Sequence, residues 1–166
     1  MALKAAERGE ARLEDILGVR MAERRLVGRV MAYWHDRCDG GVMPRFEAID
    51  GAAMGSDWDH CFLIDVRPQF AAPATVHLGA ALQRLSGVLI SRRMRVVIDV
   101  LTLVQVKIDE VCRIAGPVLV EAEFPVSDHE RLLTRGVFLP IGEDDDEIAF
   151  ILGAANGKLA PSVPGM

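Results

Sequence analysis

Residues 118–154 read VLVEAEFPVSDHERLLTRGVFLPIGEDDDEIAFILGA. Val118, Val120, Ala122, Phe124 and Val126 fall on one side of an extended chain, and Leu119, Glu121, Glu123 and Pro125 on the other. A period of two is the signature of a strand with one buried face. Leu132 to Pro140 and Glu147 to Ala154 have the same texture and predict two further strands. Between them, Glu143-Asp144-Asp145-Asp146 reads as a hairpin turn whose charges keep the end of the sheet soluble.

The segment upstream of this β region is helical. Val and Ile are common in residues 95–112, which favours a strand. However, Val97, Val100/Leu101, Val104, Ile108 and Val111 recur at three and four, with Asp99, Thr102, Gln105 and Asp109 opposite. That spacing predicts one long helix. Ala80 to Ile90 predicts another. Cys61 to Val66 predicts a short buried strand stopped by Pro68, paired with a second over Ala74 to Leu78. Residues 42–58, broken by Pro44, Gly51, Gly55 and Ser56, read as an irregular loop with room for one helical turn.

Two N-terminal helices are predicted. The first covers residues 4–19, with a narrow face of Leu13, Ile16 and Leu17. The second runs from about Met21 to Arg37, with Leu26, Val30 and Trp34 as its stripe, and Asp39-Gly40-Gly41 ends it. Strands around a helical insert imply an α+β domain with an antiparallel sheet. Helices should cover one face, and the N-terminal pair should cover part of the other face or a partner. The expected division is a helical extension over 1–40, a sheet domain over 41–158 and a flexible tail over 159–166.

At 166 residues the chain is long enough for one domain with a self-sufficient core. The hydrophobic set is 51% before glycine is counted, above the roughly 45–50% that includes glycine in an average soluble domain. This excludes intrinsic disorder and points to an interface or apolar pocket beyond the core. A net charge of −5 argues against nucleic acid as a partner. Charges interrupt every apolar run before membrane-spanning length, so no membrane insertion is expected. No signal-peptide pattern opens the chain, and Cys38, Cys61 and Cys112 are sparse and without C-x-x-C spacing. Both observations predict a cytoplasmic protein with reduced thiols.

The remaining constellations favour structure over chemistry. His35 and Cys38, three apart on a helix, could share a zinc with His60 and Cys61, but adjacent strand residues point to opposite faces. No metal is expected. Ser127-Asp128-His129 is consecutive, so its side chains need not converge as a triad, and a turn cap is the better reading. No nucleophile elbow or phosphate loop occurs. The acidic run 143–147 lacks the spaced oxygens of a calcium loop. Arg92, Arg93 and Arg95 read as a helix-start cluster or an interface rim. An enzyme is not expected.

The element order is that of a PAS domain, and two stretches narrow the likeness. Tyr33-Trp34 followed by Met43-Pro44-Arg45-Phe46-Glu47-Ala48-Ile49-Asp50 resembles the opening of a short single-domain bacterial PAS-like family. Gly136-Val137-Phe138-Leu139-Pro140-Ile141, then Ile148-Ala149-Phe150-Ile151-Leu152-Gly153, is similar to that family's closing hairpin. The stretch Phe70 to Gly79 departs from the family pattern. The resemblance implies a five-stranded antiparallel sheet and a non-enzymatic sensor or interaction module in signal transduction. PAS domains hold haem, flavin, small metabolites or nothing. No cysteine here has the neighbours of the flavin-reactive residue, and 95–112 has no histidine for haem, so no cofactor is expected.

Two functional expectations follow. The chain is a signalling module that works through a regulatory protein partner and is switched by a small apolar ligand, or it is a carrier or sensor with an occupied pocket. The wall of that pocket would be Phe62, Ile64, Val76, Leu101, Val104, Val120 and Phe138, chosen as inward-facing positions between the sheet and helix 95–112. Tyr33, Trp34, Leu26 and Val30 are the candidate interface of a homodimer through the N-terminal helices, with packing on the chain's own sheet as the competing reading for Trp34.

Overall fold

A computed structural model describes residues 25–68, 72–92, 94–143 and 147–163. The helix expected over 4–19, residues 21–24 of the second helix and the turn tip at 144–146 lie outside the described residues. Helix α1 occupies 25–37, followed by a 3-10 turn at Phe46–Ala48, a short α2 at Gly51–Met54 and a 3-10 turn at Gly55–His60. Strands β1 (Cys61–Asp65) and β2 (Ala74–Leu78) come next, then α3 (Ala80–Arg92) and α4 (Met94–Ile114). The chain closes with β3 (Val118–Pro125), β4 (Glu130–Gly142) and β5 (Ile148–Pro161).

All five strands form one antiparallel sheet in the order β2-β1-β5-β4-β3. The β1–β2 hairpin and the β3–β4–β5 meander, separated along the chain by α3 and α4, join where β1 pairs with β5 from Cys61↔Ala154 to Asp65↔Phe150. The result is an α+β fold with an open five-stranded sheet.

Alternation along the strands sorts the core into two layers. On one face, Cys61, Leu63, Val137, Leu139, Ile141, Leu152 and Ala154 meet Leu26, Val27, Val30 and Trp34 of α1. Met43, Phe46, Ile49, Met54 and Trp58 extend this layer from the loop, and Phe46 stacks on Phe150 at 4.3 Å between centroids. On the other face, Ile108 and Val111 of α4 meet Ile64, Val118, Val120, Phe138 and Ile151. Towards the far end of α4, Leu89, Phe124, Val126 and Leu132 form a third cluster with Leu85, Val97, Val100 and Leu103.

Local chemistry fixes the segment between α1 and β1. After α1, Gly40 (φ 78°) takes left-handed backbone as the Asp-Gly-Gly sequence predicts, but the second left-handed residue is Asp39 (φ 47°) rather than Gly41. Asp50 caps α2 by accepting from the Ala52 N–H at 3.0 Å. The Tyr33 hydroxyl accepts from the Asp50 N–H at 2.7 Å and donates to the Asp50 carbonyl at 3.2 Å. Gly142 N–H donates to the Pro44 carbonyl at 2.9 Å, which lays the loop along the start of the closing hairpin.

Three expectations are corrected. Residues 159–161 are not tail: β5 continues to Pro161, which pairs with Glu130. The loop 42–58 holds three short helical turns rather than one. Helix α1 belongs to the common core rather than to a separate extension: its stripe is buried on the face of the sheet opposite α4, one of the two places expected for the N-terminal helices.

Candidate functional site

The seven residues expected to line an apolar pocket separate into two groups. Ile64, Val120 and Phe138 are buried together beside α4, with Phe62 and Val104 packed against them. Phe62 meets Phe138 edge-on at 5.3 Å between centroids. A Cβ built at Gly153 would fall inside the Phe62 ring, so glycine there lets the ring lie flat on β5. Val76 and Leu101 do not join them: they are 52% and 62% exposed.

The expected interface on α1 is corrected as well. Leu26, Val30 and Trp34 are 2%, 0% and 6% exposed within the single chain, so they are spent on its own sheet. The Trp34 indole N–H donates to the Pro140 carbonyl at 2.8 Å in the buried layer. Tyr33 is half-buried and holds the loop through its hydroxyl, while Arg37 stacks over its ring at 4.9 Å. The competing reading for Trp34 is the one the packing follows.

A cavity of about 230 Å³ lies elsewhere, at one end of the sheet. Strand β1 begins at Cys61, opposite Ala154, whereas β5 continues on β4 as far as Pro161. Beyond Ala154 the β1 side of β5 therefore has no strand beside it. The 3-10 turn 55–60, the first turn of α1 and helix α3 close on that notch. Its lining is Leu26 and Arg29 from α1, Ser56, Asp57, Asp59 and His60 from the turn, Arg84 from α3 and Asn156 from β5.

The notch has a fixed side. Arg29 Nε and Nη2 each donate to a carboxylate oxygen of Asp57 at 2.8 Å, the bidentate geometry that suits a guanidinium. This hydrogen bonding holds the Asp57 carboxyl below its ordinary pKa, so it stays ionised. Asp59 and Arg84 line the same cavity, and their side chains form no ion pair or hydrogen bond among the described residues. Two cations and two anions thus surround a small volume, with His60, Ser56 and Asn156 between them.

No family model, curated protein or solved structure matches this chain. Its chemistry must be argued from the geometry alone.

A second cavity of about 320 Å³ lies at the C-terminal end of α1, lined by Arg37, Cys38, Val42, Met43, Pro44 and Arg45 among others. The zinc candidates do not form a site. The Cys38 thiol donates to the Trp34 carbonyl at 3.4 Å and the Cys61 thiol to the Asp57 carbonyl at 3.2 Å. Burial pushes the Cys61 thiol up to about 12, which keeps it protonated and unreactive. Among the described residues, no three His, Cys, Asp or Glu side chains gather to hold a metal ion. Ser127 caps its turn: its hydroxyl accepts from the His129 N–H at 3.2 Å and the Glu130 N–H at 3.0 Å. No helix among the described residues is long and apolar enough to cross a membrane.

The sequence reading missed the notch because its lining comes from positions 26 to 156, brought together only by the β1–β5 pairing. The one local signal was Asp57-Trp58-Asp59-His60, a polar run immediately before an apolar strand.

Proposed function

We propose that this chain is a PAS-like signalling module, cytoplasmic and non-enzymatic, that acts through contact with a regulatory protein. The observation that carries this reading is the junction of hairpin and meander into one five-stranded sheet with a long helix across one face. That architecture is the one the resemblance of residues 33–50 and 136–153 implies. Fold-level likeness is an analogy, and the surface has to supply the function.

The alternative of a carrier with an occupied apolar pocket draws less support, because Val76 and Leu101 of its expected wall are exposed and only Phe62, Ile64, Val104, Val120 and Phe138 pack together beside α4. The outward side of α4 supports contact instead. Ile98, Leu101 and Val106 are each more than half exposed there, interspersed with Asp99, Thr102 and Gln105. Apolar side chains set among polar ones are the composition of a non-obligate interface.

Native mass spectrometry of the purified chain, followed by denaturing mass on the same sample, tests the choice. The expected result is a bare chain mass that a regulator captured by the wild type raises and that Leu101→Glu with Val106→Glu does not. A defined small-molecule mass, lost on denaturation, would overturn this reading in favour of the carrier.

A further inference from the structure

We propose that the notch beside β5 is a binding site for a small zwitterion of the free amino-acid class. This does not rest on the PAS-like reading.

The cavity and its charges select that class. The cavity is small, about 230 Å³, and its charged residues Asp59 and Arg84 are exposed, so a ligand reaches them from solvent. Leu26 is the one apolar side chain of the lining, so a hydrocarbon has nothing to pack on.

A simple anion would find Arg29 already engaged by both oxygens of Asp57, and would face the carboxylates of Asp57 and Asp59. A divalent cation would find Asp59 as the uncommitted carboxylate, with Arg84 repelling it. What remains uncommitted is one cation and one anion, Arg84 and Asp59, on different elements around the same volume. The guanidinium of Arg84 suits a ligand carboxylate through its paired N–H groups. The Asp59 carboxylate suits an ammonium. Ser56, His60 and Asn156 supply further polar groups for a polar side chain, while Arg29 and Asp57 are paired with each other.

The position gives such binding a consequence. Arg29 belongs to α1 on one face of the sheet, and Arg84 belongs to α3 on the other. A ligand held between Arg84 and Asp59 would join α3 to the 3-10 turn, which Asp57 in turn joins to α1 through Arg29.

The test uses the full chain, ¹⁵N-labelled, titrated separately with each of the twenty free amino acids, and with acetate and ethylammonium as single-charge halves. At least one amino acid with a small or polar side chain should give saturable shifts at Ser56–His60 and the Asn156 side-chain amide, with half-saturation below about 10 mM. Acetate and ethylammonium should each bind at least about tenfold more weakly. Arg84→Gln and Asp59→Asn should each weaken the amino acid about tenfold, and Arg84→Lys should recover part of the loss. Dispersed spectra of these variants confirm that they fold. The absence of a saturable shift with any amino acid, acetate binding as well as the zwitterion, or unchanged affinity in Arg84→Gln would each overturn the proposal.

Discussion

The Pro140 carbonyl sits among fully buried side chains, and the Trp34 indole N–H is its side-chain donor at 2.8 Å. Removing that donor leaves a buried oxygen short of a partner, and a smaller ring also leaves a void. Trp34→Phe should therefore lower stability by about 2–4 kcal/mol in urea unfolding. A loss under about 0.5 kcal/mol would mean that the indole does not hold this place. The sequence left two readings for Trp34, because a stripe on a helix shows which side is apolar and not what lies against it. Cys61 is similar. Its neighbour His60 suggested a metal, while the register that buries it at the start of β1 was invisible locally.

At the scale of elements, periodicity carried most of the fold and failed where two adjacent positions competed. On α4 the spacing left Val100 and Leu101 sharing one slot. Val100 packs inward with Val97 and Leu103, and Leu101, one step round the helix, points out. Val76 failed for a different reason. Leu63 pairs with His77 and Ile64 with Thr75, so Val76 is the extra residue of a β-bulge and loses its place in the alternation. Strand β5 ran seven residues past its expected end because Ala155-Asn156-Gly157-Lys158 is a poor strand former by itself, and the ladder to β4 holds it. The α4 assignment gives a contrast to measure. Val111→Ala, at a site with no exposed surface, should cost about 1–3 kcal/mol, whereas Leu101→Ala should stay within about 0.5 kcal/mol. Equal losses would mean that α4 is rotated from this placement.

For the molecule as a whole, two carboxylates link acid stability to the way its layers are joined. Asp57 ties the turn before β1 to α1 through Arg29, and Asp65 at the end of β1 holds Arg67 at 2.7 Å. Arg67 lies over the Phe150 ring at 5.0 Å and reaches Glu143 at 3.4 Å, so this second pair fastens the edge of the β4–β5 hairpin to β1. Hydrogen bonds from the arginines hold both carboxyls below their ordinary values. In acid the unfolded chain thus binds protons that the folded chain still refuses. Stability from these groups is fully present above the unfolded value of about 3.9 and is lost as pH falls through the lower folded values. Arg29 is more than half exposed, so solvent screening limits its pair to about 0.5 kcal/mol. Asp57→Asn should lower the unfolding free energy from urea titration at about pH 7 by that small amount and make little difference near about pH 2.5, where the wild type has lost the same contribution. An equal deficit at both values would show that Asp57 acts through packing rather than charge, and the fixed side of the notch would need another source.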